Sequence, residues 1–366
     1  MINLSKLLAE DSPDFPGDGI RFGRAQFPVV VWHITERCNL HCRHCYSSSG
    51  DSLNPGEAGR DEAVSFLRSL AEMKPPTLLM SGGEPLAHPN FFLYLEMGRN
   101  LGINVSISTN GTLVDEDAAR RMAASGVSYV GVSIDGAGED NDVFRGRMGA
   151  FRDAKRGIEF LAANGCRVGL RVTLASPVLK NLDSLFLLAL ELPVSRICFY
   201  HFMPSGRGAS DATLLPSLAD ERRATASIIS WADEVCATRA APDGRTWRGG
   251  KNIEILTVGD ASDGVLAYKY LLERDEARAE RARILLTRSA AKKTGKLPGI
   301  LSVRWDGTVF RNQFSWDSPI GSWGNVISDL CVETTDSPLA LRNPDCTFCD
   351  WLEICSGCLR SVCIGR

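Results

Sequence analysis

The sequence predicts an α/β fold, an open (β/α)6 partial TIM barrel followed by a smaller C-terminal α+β region. Three observations lead there. Short runs rich in Val, Ile and Leu alternate with amphipathic stretches. Polar and glycine-containing motifs recur where those runs should end. The cysteines gather at two places, after the first run and at the C-terminus.

Strands are expected at residues 29–35, 77–80, 104–108, 129–133, 167–173 and 196–202, with helices at 60–73, 91–100, 116–124, 153–163 and 181–190. Asp115 and Asp153 are placed to cap helix N-termini, and Gly102, Gly126 and Gly165 fall where helices should stop. Repeated βα units imply parallel strands with right-handed crossovers and helices outside. In barrels of this kind chemistry gathers at the C-terminal ends of the strands. Residues 1–25 read as an N-terminal extension, 26–235 as the partial barrel and 236–366 as a second domain. The boundary is the polar stretch 237–250, broken by Pro242, Gly244, Gly249 and Gly250. Beyond it a strand at 254–258, one helix over 265–287 and a hairpin around Asp306-Gly307 are expected. The charges of that helix (Glu273 to Arg283) read as a solvated face.

Composition sets limits. A hydrophobic share of 44%, a charged share of 23% and a net charge of −3 describe a globular protein without the basic excess of a nucleic-acid binder. No apolar run approaches the ~20 residues that span a bilayer. The opening residues lack the basic-then-apolar pattern of an export signal. Twelve cysteines, eight of them in two clusters, suggest in such a chain metal ligation over disulfides, and a cytoplasmic location.

Cys38, Cys42 and Cys45 form a C-x3-C-x2-C run on a loop after the first strand. Three thiolates this close can hold three irons of a [4Fe–4S] cluster and leave the fourth iron open. A zinc site is the alternative on spacing alone, with His41 or His44 as fourth ligand. The second group is Cys346-x2-Cys349-x5-Cys355-x2-Cys358 with Cys363 close behind, again an iron–sulfur site or a zinc ribbon.

The cysteine loop, Gly82-Gly83-Glu84-Pro85, Ser108-Thr109-Asn110-Gly111, Ser133-Ile134-Asp135-Gly136 and Arg145-Gly146 occur in one order. Together they resemble the radical S-adenosylmethionine superfamily over residues 29 to about 210. The resemblance implies a [4Fe–4S] cluster at Cys38, Cys42 and Cys45 whose open iron chelates S-adenosylmethionine. One-electron cleavage of that cofactor would give a 5′-deoxyadenosyl radical, with flavodoxin or ferredoxin as electron donor. It further implies that Gly82, Gly83 and Glu84 meet the cofactor's amino group, and that Asn110, Ser133 and Asp135 serve its ribose or carboxylate. Arg145 would take the carboxylate, and His44 or Tyr46 would pack on the adenine. The C-terminal cysteines resemble the auxiliary-cluster segment of SPASM or twitch type, which implies a second [4Fe–4S] cluster.

Residues 199–208, with Pro204-Ser205-Gly206-Arg207-Gly208, resemble the radical enzymes of tetrapyrrole maturation, the haem d1 biosynthesis protein NirJ and its relatives in the sirohaem-dependent haem pathway. Asn312-Gln313-Phe314 and Trp323-Gly324-Asn325-Val326 extend that likeness, while Phe310-Arg311-Asn312 stands where the family carries His-Pro-Asp. The implied reaction is removal or oxidation of propionate side chains on an iron tetrapyrrole. Arg207, Lys251, Arg304 and Arg311 are candidate propionate partners, and His201 is a candidate ligand to substrate iron or carboxylate. Two rivals stand beside it. Enzymes of the same type modify ribosomal peptides, although residues 1–25 are short for a peptide-recognition domain. A non-catalytic metal scaffold would have no need of a cofactor pocket.

Overall fold

The structure is a computed structural model that describes residues 1–9, 28–52, 56–238, 253–291, 299–314 and 316–324. The chain starts with a two-residue strand β1 (Ile2–Asn3) and a short helix α1 (Leu4–Leu8). Alternating units follow: β2 (Val29–His33), α2 (Arg60–Met73), β3 (Leu78–Ser81), α3 (Phe91–Asn100), β4 (Val105–Thr109) and α4 (Glu116–Ala124). The second half runs β5 (Tyr129–Ser133), α5 (Glu139–Arg145), α6 (Ala150–Ala163), β6 (Val168–Leu174), α7 (Ser176–Leu179), α8 (Leu182–Glu191) and β7 (Arg196–His201). It closes with α9 (Leu218–Thr238), β8 (Glu254–Val258), α10 (Ser262–Leu272), α11 (Glu276–Ala291), β9 (Ile300–Val303), β10 (Thr308–Phe310) and β11 (Gly321–Ser322).

Strands β2 to β7 lie side by side in sequence order, all parallel, as an open β/α sheet. The sheet does not stop at six. β8 adds in parallel beyond β7, and β9 adds in parallel beside β2. β1 then covers β8 antiparallel, and β10 and β11 extend the other edge. Residues beyond 235 therefore contribute strands to both sides of the sheet.

Alternation along the strands decides which side chains reach the core. Met80, Ile107, Val130, Val132, Leu170 and Val172 are fully buried. The intervening positions carry Ser81, Ser108, Gly131, Ser133, Gly169 and Arg171, a small and polar set that leaves room inside the barrel. Asp115 caps α4 as expected, accepting from the Ala118 N–H at 2.8 Å. Asp153 does not cap. The helix begins earlier, at Gly149, and Asp153 pairs instead with Arg147, Arg152 and Arg156. The expected helix over 265–287 is two helices, α10 and α11, broken around Arg274. Nor is its charged face merely solvated: Arg278 binds Asp233 and the Leu8 carbonyl, and Arg281 donates to the Ala9 carbonyl at 2.7 Å. These contacts fasten α1 over the end of the sheet. Among the described residues no helix is long and apolar enough to cross a membrane.

Candidate active site

The loop after β2 carries the three cysteines, and backbone contacts from three directions set its shape. From the β3 side, the Gly83 N–H donates to the Thr35 carbonyl and the Glu84 N–H to the Arg37 carbonyl, both at 2.8 Å. A Cβ on Gly83 would collide with the carbonyls of Glu36 and Arg37, so glycine is required for that approach. From the β5 side, the His41 N–H donates to the Arg145 carbonyl at 3.2 Å and the Arg43 N–H to the Phe144 carbonyl at 3.1 Å. From the β7 side, the Arg207 N–H donates to the Cys45 carbonyl and its Nε to the Cys42 carbonyl, both at 3.0 Å. Gly206, at φ +52°, lies so close to the Cys45 and Tyr46 carbonyls that no side chain would fit.

Cys38 and Cys42 are buried, Cys45 is half-buried, and the three pack beside Leu40 and Ala150 as free thiols. Burial, with help from the Glu84 charge, pushes the Cys38 thiol up to about 12. Burial also raises Cys42, against the pull of the Arg145 guanidinium. Three thiolates here would repel one another, so the ionised set needs a cationic core between them. Among the described residues no group of three or more His, Cys, Asp and Glu side chains is close enough to hold one metal ion. Three closely spaced thiolates suit a [4Fe–4S] core with one open iron. The zinc alternative loses its fourth ligand as well: His41 is exposed, and the His44 ring stacks on Phe144 at 4.5 Å and 11°.

The cysteines open onto a cavity of about 970 Å³, mouth included, at the C-terminal ends of the strands. His44, Tyr46, Gly82 and Gly83 line it from the first half of the sheet. Asn110, Ser133, Arg145 and His201 line it from the loops and strands beyond.

Several of these residues also have partners within the protein. Glu84, assigned to an ammonium group, is fully buried and accepts from the Thr109 hydroxyl (2.7 Å), the Asn110 N–H (2.7 Å) and the Leu86 N–H (3.1 Å). Burial lifts its carboxyl to about 7 despite those donors. It braces the β3 and β4 loops. The Asn110 amide is likewise committed, donating to Asn39 Oδ1 at 2.9 Å and toward Cys38 Sγ at 3.8 Å. Asp135 lies behind the cavity, ion-paired with Arg145 and accepting from the Thr173 N–H at 2.6 Å. Arg145 thus reaches the cavity already neutralised, with one nitrogen 3.9 Å from Cys42 Sγ. Burial holds His44 down at about 4, against the pull of Asp135. Tyr46 stands edge-on to His33, Phe314 and Trp316. His201 is 2.9 Å from Asp263 through Nε2, so this strand-end histidine carries a buried carboxylate partner.

Some calls fall elsewhere. Cys346, Cys349, Cys355, Cys358, Cys363 and Lys251 lie outside the described residues. Arg304 is tied to Asp306, and Arg311 is exposed away from the cavity lining. The sequence reading gave no role to Asp263, nor to Arg171, Thr173 and Tyr200, which line the cavity. A signal was available: Gly169, Arg171 and Thr173 alternate with Val168, Leu170 and Val172, marking a polar face on a strand otherwise fit for burial.

A parallel β/α sheet with a three-cysteine loop after its first barrel strand β2, and a cavity at the strand ends, defines a class, and residues 32–183 match the Radical SAM superfamily. The chain belongs to that superfamily, with its [4Fe–4S] cluster and S-adenosylmethionine, and is a homologue of haem biosynthesis enzymes. It is 35% identical to the Fe-coproporphyrin III synthase of Methanosarcina barkeri over 96% of this chain and 87% of that protein. It is 33% identical to the pre-heme d1 synthase of Dinoroseobacter shibae over 81% of this chain and 70% of that protein. By fold it resembles SuiB of Streptococcus suis, solved with its precursor peptide SuiA, at a TM-score of 0.65 and 16% identity over 91% of this chain and 72% of that one.

Proposed function

We propose that this radical S-adenosylmethionine enzyme acts on the propionate side chains of an iron tetrapyrrole. The observation that carries the reading is likeness along nearly the whole chain to a protein named for an iron coproporphyrin. When bound, the cluster and cofactor supply a one-electron cleavage that yields a hydrogen-abstracting radical. The protein's part is to hold and enclose. Cys38, Cys42 and Cys45 would ligate the cluster, and Ser133 and Arg145 would orient the cofactor in the cavity they line. Tyr46, walled by aromatic rings, closes the side toward β2 and keeps water from that face.

The finer calls belong to the same proposal. Cys346, Cys349, Cys355, Cys358 and Cys363 would carry an auxiliary [4Fe–4S] cluster that accepts the electron left on the substrate. A flavodoxin or ferredoxin would reduce the first cluster, in the cytoplasm. The peptide-modifying alternative rests on likeness to SuiB at 16% identity, which speaks for the fold alone.

The test is 5′-deoxyadenosine release by anaerobically reconstituted protein with dithionite, alone and with didecarboxysirohaem or iron-coproporphyrin. Release stimulated by one tetrapyrrole, with a matching mass loss in it, supports the reading. Release indifferent to both overturns it.

A further inference from the structure

We infer that Arg171 anchors a carboxylate of the substrate inside the barrel, an inference that rests on the tetrapyrrole reading. Three cationic arginines line the cavity: Arg145, Arg171 and Arg207. Arg145 is neutralised by Asp135. Arg207 is bound through its Nε to the cysteine loop. Arg171 has no carboxylate partner among the described residues. Its guanidinium carbon lies 4.3 Å from the centre of the Tyr200 ring.

The groups around this cation are neutral. Tyr46, Tyr129, Cys198 and Tyr200 are its charged-state neighbours. Burial raises Tyr129, Cys198 and Tyr200, the last to about 12, so none of these three offers a counter-charge at neutral pH. A guanidinium removed from water without an anion is costly. The barrel is nevertheless shaped to keep it. Gly131 on the neighbouring strand leaves the space the arginine stem crosses, since a Cβ there would sit 2.7 Å from Arg171 Cδ. β6 places Arg171 level with Ser133 on one side and Cys198 on the other. The ring of Tyr200 fixes the plane of the fork, which suits two-point binding of a carboxylate.

Two carboxylates could enter this cavity, one from the cofactor and one from the substrate. Arg145, beside Cys42 Sγ, already stands at the cysteine loop where the cofactor is held. Arg171 stands with Tyr200, on the strand that leads into residues 203–208. The substrate is therefore the source assigned to it.

Titrations of the reconstituted full chain distinguish the two. Arg171→Gln should raise KM for the tetrapyrrole that the wild type accepts by about 10–100-fold, the worth of a charged hydrogen-bonded pair. The Kd for S-adenosylmethionine should move by less than about threefold, or under ~0.7 kcal/mol. Arg171→Lys, which keeps the charge but not the fork, should fall between. For the wild type, esterifying the propionates should weaken binding by the same factor, with no further loss in Arg171→Gln. An esterified substrate that binds wild type as well as the acid overturns the inference even if the variants fail to fold. So does an unchanged KM, or a loss that falls on S-adenosylmethionine instead. If wild type responds to neither tetrapyrrole, the functional reading fails and the anchor fails with it; every other adverse result touches the anchor alone.

Discussion

The two halves of the sheet hold the cavity in different ways. From β2 to β4, position is fixed by main chain: Gly83 and Glu84 donate to the cysteine loop, and the Glu84 carboxylate ties β3 to Asn110 through a backbone N–H. From β5 to β8, backbone contacts to the loop are joined by charged side chains: Asp135 with Arg145, Arg171 with Tyr200, and His201 with Asp263. A cluster loop needs geometry that does not change with its charge, and hydrogen-bonded backbone supplies that. A half that meets a substrate needs directed charges, which only side chains supply.

Substitutions can break or sharpen this contrast. The largest effect is expected for Cys42→Ala, which should abolish deoxyadenosine release while iron bound by the C-terminal cysteines remains; retained release would show that the loop is not the reducing centre. Next comes Asp135→Asn, which leaves Arg145 buried without its partner. Chemical denaturation should then register a loss of about 3–5 kcal/mol. An unchanged midpoint would place the strength of that half elsewhere.

Glu84 gives the main-chain half a pH signature. Its carboxyl is raised in the folded state to about 7 from an ordinary value of 4.5. The folded protein therefore binds the proton more tightly, and this residue costs nothing below about pH 4.5. The penalty grows as pH rises toward 7 and levels off above, reaching about 3 kcal/mol. Relative to wild type, Glu84→Gln should flatten the fall in stability across that window; parallel stability–pH curves would remove Glu84 as its source. The smallest effect is expected for Gly83→Ala, whose added methyl meets the Glu36 and Arg37 carbonyls. Overpacking of this kind costs about 1–3 kcal/mol. It should appear as lower iron retention as well as a lower midpoint, and normal retention would mean that the loop tolerates the shift.

The same contrast explains what was legible in the sequence. The main-chain half was readable because glycines and cysteines at close spacing have few other uses, so the Cys38–Cys45 and Gly82–Glu84 runs stood out. The contacts inside them were less so: two of the three donors to Glu84, Thr109 and Asn110, come from another strand. Arg171 went unread although Gly169, Arg171 and Thr173 alternate with Val168, Leu170 and Val172, because no motif accompanies it. Asp263 went unread because its partner His201 lies 62 residues away. The helix start at Gly149 was missed because Asp153 resembles a cap while its carboxylate answers three arginines. The parallel strands β2 to β7 followed from alternation, and their barrel arrangement agreed with the resemblance. The additions of β8 and β9 did not, since each joins an edge set by distant residues.

Those two additions bear on how the chain is made. Val29 pairs with Ile300, and Ile2 with Thr257. A nascent chain emerging from the ribosome holds the six central strands before either flanking strand exists. Contacts between residues so far apart close slowly, because a long loop must be gathered before they give anything back. The cysteine loop, sitting on β2 at the edge that β9 later covers, is thus on the unfinished side of the sheet during synthesis. Until those strands are made, Tyr46, next to Cys45, lacks the aromatic wall of Trp305, Phe314 and Trp316.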